Sequence, residues 1–359
     1  MLESFETPRW PPADPEITQA IERLISEGLW ARYGFGPQLS NTPEVLEFRD
    51  ILKSYFEVDV FLVSSAMAAL DVCMRTVGIG SGDSVAICAY DYPGILHSVE
   101  CTGARPVLFD IEDGVPKPAW HPLKESAPDN LRAVVVSHLH GHIADLSELR
   151  ILCDEHGWLL IEDACQSLGG KIDGAPVGLA GHFSLHSFGG GKLLSAGGGG
   201  ALVATGKRHA AKIQRYLDRP INYLSPSPLQ MVSLTPQWKK LDQYHQRRQL
   251  AVEYLCQQNL GEAAVVHQAE AGCDNAYYKL AITYPNQSER DQAIDRANEV
   301  NLPLGLPFRS SEKISPKRAV KLGDLQCAAE FSSTTALLDQ TFLLQPSAVL
   351  DRVVEVLRT

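Results

Sequence analysis

Between residues 60 and 205 the chain alternates strand-length apolar runs with longer amphipathic ones, and few folds accommodate that pattern. Val60–Ser64, Ser84–Cys88, Pro106–Asp110, Ala133–Ser137, Trp158–Glu162, His182–Ser187 and Ala201–Thr205 read as strands. Ala66–Val77, Gly94–Thr102 and Asp145–His156 read as helices between them. The alternation predicts an α/β domain built on a mixed, mostly parallel sheet covered on both faces. Ligands of such sheets sit beyond the carboxyl ends of the strands. Ser65, Tyr92, Asp163 and the loop holding Lys192 all fall just past predicted strands, which would gather them in one pocket.

Outside this region the pattern changes. Residues 1–15, with four prolines, read as an extended arm, followed by helices over Ile17–Trp30 and Pro43–Phe56. After the Ser/Pro-rich segment Asn222–Pro228 comes a long polar helix, Trp238–Asn259. A strand at Tyr277–Tyr284 and helices at Glu289–Val300, Ala328–Leu338 and Val349–Leu357 make a smaller α+β unit. The expected division is a large domain over 1–245, arm included, and a small C-terminal domain over 246–359.

The segment F-S-L-H-S-F-G-G-G-K-L-L-S-A-G-G-G-G-A, Phe183–Ala201, holds one lysine, Lys192, between glycine runs. Desolvation favours the neutral amine, the form that attacks a carbonyl, although most lysines are simply solvated. A nucleotide phosphate loop is excluded, because His186 and Leu193 stand where that motif needs Gly and Ser or Thr. Upstream, I-E-D-A-C-Q-S-L-G-G places Asp163 at the tip of an apolar strand. A buried carboxylate there needs a cation or strong donors, and a protonated pyridine nitrogen would serve, with Gln166 beside it. A helix cap at Asp163 and a surface role for Gln166 would explain the same residues.

Together, E-D-A-x-Q and S-F-x-x-x-K-x-x-x-x-G-x-G-G resemble the DegT/DnrJ/EryC1/StrS family of pyridoxal-phosphate sugar aminotransferases, of fold type I. The resemblance runs on through Ser64–Leu70 (family N-S-G-T-A-A-L), Val77–Asp83 (L-G-I-G-P-G-D), Cys88–Tyr92 (P-A-F-T-F), Ser137–Gly141 (V-H-L-Y-G) and the closing Ala329–Pro346. It implies that Lys192 condenses with the cofactor aldehyde and shuttles a proton, that Asp163 holds the pyridinium, and that Gln166 holds the phenolate oxygen. It further implies Tyr92 against the ring face, and the phosphate held by Ser187, by Ser65 and by the N–H groups of Ala66 and Met67. Asn222 resembles a segment that reaches the phosphate across a dimer interface, which implies a homodimer with shared sites. Three departures stand out. Ala66-Met67 replaces Gly-Thr, Leu224 replaces an arginine, and three glycines precede Lys192.

The implied activity is transfer of an amino group from glutamate or glutamine to a keto group of a sugar nucleotide or related polyol ketone, the cofactor cycling through pyridoxamine phosphate. The alternatives are a carbocyclic (cyclitol-type) ketone acceptor, an elimination or dehydration, and a non-catalytic cofactor-binding regulator. Lys192 speaks against the dehydratase branch, where histidine replaces it. His138, His140 and His142 would share one face of a strand, but no neighbouring ligand completes a metal set, so none is expected. Cys165 reads as packing. A net charge of -11 argues against nucleic acid and anionic membranes. Eight scattered cysteines and an N-terminus without a signal pattern fit a cytoplasmic protein.

Overall fold

The computed structural model describes residues 4–31, 43–219, 224–258, 260 and 265–358. Its centre is an eight-stranded sheet in the order Asp59–Val63, Gly200–Ala204, Phe183–Ser187, Leu159–Asp163, Leu131–Ser137, Ser84–Cys88, Arg105–Phe109, Val320–Lys321. Every neighbouring pair is parallel except the two made by Gly200–Ala204, which runs against both its partners. The strands are long in Val, Ile and Leu because both faces are covered. Val85, Val107, Val134, Val135, Ile161 and Leu185 are fully shielded from solvent.

Most edges of the predicted elements move by a residue or two, while the first helix ends at Ser26 instead of Trp30 and the long polar helix is trimmed to Leu241–Cys256. The larger differences have physical causes. Ala328–Leu338 is not one helix; it is a helix, Gln326–Thr334, running directly into a strand, Thr335–Asp339. The apolar A-L-L triplet suits either state, and pairing with Lys279–Thr283 decides for strand. These two strands, with Val265–Val266 and Leu304–Gly305, form a second, four-stranded sheet with its own apolar core. The chain then returns to the large sheet, since Val320–Lys321 pairs with the edge strand Arg105–Phe109. The helix Lys207–Leu217, which the sequence reading passes over, packs beside Ala66–Thr76.

The N-terminal arm is tied down. The N–H of Phe5 donates to the Val300 carbonyl at 2.7 Å, and Phe5 is buried against Phe342. No helix among the described residues is long and apolar enough to cross a membrane. All eight cysteines are free, and four of them are buried.

Candidate active site

A cavity of about 440 Å³ opens at the carboxyl ends of the large-sheet strands. Asp163 and Gln166, from the end of one strand, and Ser187 and Lys192, from the next, line it. Ser65, Ala66, Met67 and Tyr92 complete the set expected from the sequence, apart from Asn222. Asn222 lies outside the described residues. The parallel sheet is what brings these positions together, because each chain leaves its strand at the same edge.

The Lys192 loop has no regular structure, yet its backbone is tied from several sides. The Trp10 indole N–H donates to the Lys192 carbonyl at 2.7 Å, and the Gln340 amide donates to the Gly191 carbonyl at 2.8 Å. Ser195 Oγ donates to the Gly190 carbonyl at 2.8 Å, while Gln237 both accepts from the Ser195 N–H and donates to its carbonyl. Lys192 itself is half-buried, with Nζ 4.7 Å from the centre of the Tyr278 ring. That contact favours a cation over the ring face. Burial and the nearby Asp339 charge push the Tyr278 phenol up to about 12, so it stays neutral.

Asp163 is buried, and its Oδ1 accepts from the Cys165 N–H at 2.9 Å. Beneath it lies a second carboxyl, Asp91. Burial raises it to about 8, and the neighbouring Asp163 charge adds to the shift. Asp91 Oδ1 accepts from the Tyr92 N–H at 2.7 Å, and Oδ2 has no hydrogen-bond partner among the described residues. Gln166 is oriented by its chemistry. Its Oε1 accepts from the His140 N–H at 2.7 Å, which leaves the NH2 end as the free donor.

The other end of the cavity is a cradle of backbone donors. Ser65 caps the helix Ala66–Thr76, its Oγ accepting from Ala68 N–H at 3.0 Å. The first-turn N–H groups of Ala66 and Met67 have no intrahelical acceptor, and the helix dipole favours an anion there. Gly200 holds that turn close to the sheet. A Cβ at Gly200 would lie 2.6 Å from both Ala66 N and Ser65 C, and 2.9 Å from His186 O. An acid at one side, a lysine in the wall and an anion cradle at the other end fit the polar groups of pyridoxal phosphate.

The three histidines do not share a face. The strand ends at Ser137, and the backbone turns sharply, with His140 at φ 60° and Gly141 at φ 83°. His138 donates from Nε2 to Glu162 at 2.9 Å and accepts from Ala144 N–H through Nδ1. His142 meets Asn275, and only His140 reaches the cavity. Among the described residues no cluster able to hold a metal exists. The Cys165 thiol is pushed well up by burial, then by the Asp163 charge, which disfavours the thiolate that nucleophilic attack needs.

Sequence reasoning missed His140, Tyr278, Lys279 and Phe308 as cavity residues. Nothing local marks them, since they arrive through packing between distant segments. The closest signal was Gly141, whose missing side chain admits the Tyr277 backbone. A Cβ there would lie 2.4 Å from Tyr277 N.

Residues 18–222 match the sequence model of the DegT/DnrJ/EryC1/StrS aminotransferase family. The chain is 34% identical over 229 residues to the dTDP-3-amino-3,4,6-trideoxy-alpha-D-glucose transaminase of Streptomyces venezuelae, covering 60% of this chain and 58% of the relative. It is 30% identical over 214 residues to the L-glutamine:scyllo-inosose aminotransferase of Streptomyces griseus, covering 56% and 47%. The match thus spans about half the length of these curated relatives. The fold of Streptococcus pneumoniae Spr1654, solved in its PLP form, superposes with a TM-score of 0.86 at 15% identity, covering 99% of this chain and 98% of that one.

Proposed function

Since this chain belongs to the DegT/DnrJ/EryC1/StrS aminotransferase family, we propose that it is an aminotransferase using pyridoxal phosphate, alternating with pyridoxamine phosphate. The amino group would pass from glutamate or glutamine to a keto group of a sugar nucleotide. The observation that carries this reading is one cavity lined by both Lys192 and Asp163.

Pyridoxal phosphate, when bound, supplies an aldehyde that exchanges amino groups and a ring that takes up electrons from the reacting carbon. Asp163 keeps the ring nitrogen protonated, the neighbouring neutral Asp91 adding no second charge at pH 7. Lys192 Nζ takes a proton from the substrate carbon and returns it one atom away. Gln166, its carbonyl tied to His140 N–H, offers its NH2 to the ring oxygen. Ser65, Ser187 and the N–H groups of Ala66 and Met67 hold the phosphate, and Tyr92 covers a ring face. Tyr92 is 44% exposed, as a residue awaiting a ring would be. From the family resemblance we also infer a homodimer with shared active sites.

A cyclitol ketone is the second reading. It is favoured by the likeness to a scyllo-inosose aminotransferase and by Ala66-Met67, which withholds a hydroxyl from the cradle. Glutamate alone should bleach the visible cofactor band, and a keto-sugar or cyclitol ketone should restore it. Asp163→Ala should retain some cofactor and lose turnover; full activity in that variant refutes the ring-nitrogen role.

A further inference from the structure

One side chain in the cavity wall has a hydrogen-bonding group that the protein leaves unused. Where the pattern V-H-L-Y-G has tyrosine, this chain has His140. Its backbone is in the left-handed region, φ 60°, uncommon for a residue with a side chain, and the following Gly141 is left-handed too. Strain of this kind persists where the surroundings over-determine it, and it clusters at ligand sites. His140 is one of the residues lining the cavity, and its imidazole centre lies 5.8 Å from the Phe308 ring and 6.4 Å from the Phe331 ring.

The proton on that ring can be placed. His140 Nε2 lies 2.7 Å from the Tyr90 hydroxyl. The Tyr90 O–H makes no other side-chain hydrogen bond among the described residues, and we assign it as the donor, with Nε2 accepting. Burial, reinforced by the charges of Lys279 and Lys192 among others, pushes the imidazole down to about 3, and it is neutral. A neutral ring accepting at Nε2 carries its hydrogen on Nδ1. His140 Nδ1 is buried and has no partner among the described residues. An unpaired buried donor is costly, which argues for a ligand that completes it.

Resting on the aminotransferase reading above, we propose that His140 determines amino-donor specificity, its Nδ1–H donating to the carboxylate on the carbon that bears the amine. A carboxylate suits the place better than a neutral hydroxyl. Lys192 and Lys279 line the same cavity, and a hydrogen bond to an ionised acceptor is about twice as strong as a neutral one.

The test compares His140→Gln with His140→Asn in the full chain loaded with pyridoxal phosphate. Glutamine extends its amide toward Tyr90 and loses the donor at the Nδ1 position. Asparagine keeps a donor there and tolerates the left-handed backbone. Maleate, a dicarboxylate that cannot transaminate, is titrated by its effect on the visible band, and glutamate is followed in single turnover. Expected for His140→Gln is a rise of about tenfold or more in the maleate dissociation constant and in half-saturation by glutamate. Cofactor affinity should stay within about twofold, and His140→Asn should recover most of the loss. In the wild-type protein, nitrogen-15 imidazole spectra should show the Nδ1–H tautomer, a measurement that decides the matter if a variant does not fold. The proposal is overturned by an Nε2–H tautomer, by unchanged maleate and glutamate binding in His140→Gln, or by a loss confined to the keto acceptor. Failure of the wild-type protein to form a visible band with pyridoxal phosphate would instead strike the aminotransferase reading itself.

Discussion

Gly200→Ala is the substitution that most directly couples the fold to the anion cradle. Gly200 sits where the antiparallel strand meets both Val63 and Ser187. An added Cβ would come within 2.6 Å of Ala66 N and Ser65 C, and these atoms are backbone, with no flexible end to swing away. The Ser65–Ala66 peptide must therefore move, and its N–H is one of the donors proposed for the phosphate. Overpacking of this kind costs about 1–3 kcal/mol of stability. Losing or bending one charge-assisted hydrogen bond at about 1.5–3 kcal/mol weakens cofactor binding by roughly 10- to 150-fold. Absorbance titration of apoprotein with pyridoxal phosphate reads the second number, and urea unfolding reads the first. Gly305→Ala is the control, since a Cβ there meets nothing within 4 Å. Cofactor affinity within twofold of wild type, together with an unchanged urea midpoint, would refute the claim that this turn is held by close approach.

Other consequences are more quickly stated. Asp91, raised to about 8 in the folded chain from the ordinary 3.8, contributes stability that is full below about pH 4 and is lost as pH rises through 8. Asp91→Asn should remove that loss, so its urea midpoint should fall less than that of the wild type between pH 6 and pH 9. His186, lowered to about 4 by burial, works in the opposite sense: its contribution is present above about pH 6.5 and lost as pH falls through 4. Unfolding measured at steps between pH 7 and pH 4 should show that acid limb. Trp10→Phe keeps an aromatic ring beside Tyr244 and Arg248 but removes the donor to the Lys192 carbonyl. It should cost about 1 kcal/mol in urea unfolding and speed cofactor release, and an unchanged release rate would mean the arm does not hold the loop.

Much of the site could be read from the chain because strand ends announce themselves. Asp163 and Ser65 close short apolar runs and Ser187 closes the alternating run F-S-L-H, each set between helical segments, and a parallel sheet puts such ends on one edge. The lysine loop stood out for its glycines. What could not be read depends on non-local contact. Tyr278 reaches the cavity from the bend just before the strand Lys279–Thr283 of the other sheet, next to Tyr277 at φ 46°. The histidines looked like an alternating strand because period-two spacing is all a sequence displays. The left-handed turn at His140 and Gly141, set by the approach of the Tyr277 backbone, sent them to three different surroundings. Thr335–Leu338 reads as the end of a helix because an apolar triplet after a helical segment carries no sign of the partner strand that claims it.

The central claim is that Lys192 and Asp163 face one bound aldehyde-bearing ring. The direct measurement is the absorption spectrum of purified protein with pyridoxal phosphate, before and after borohydride reduction, with the modified residue located by peptide mass analysis. The account predicts a band near the visible edge and, on reduction, a stable adduct on Lys192 alone, absent in Lys192→Ala. An adduct spread over surface lysines, or an equal adduct yield in Lys192→Ala, would contradict it.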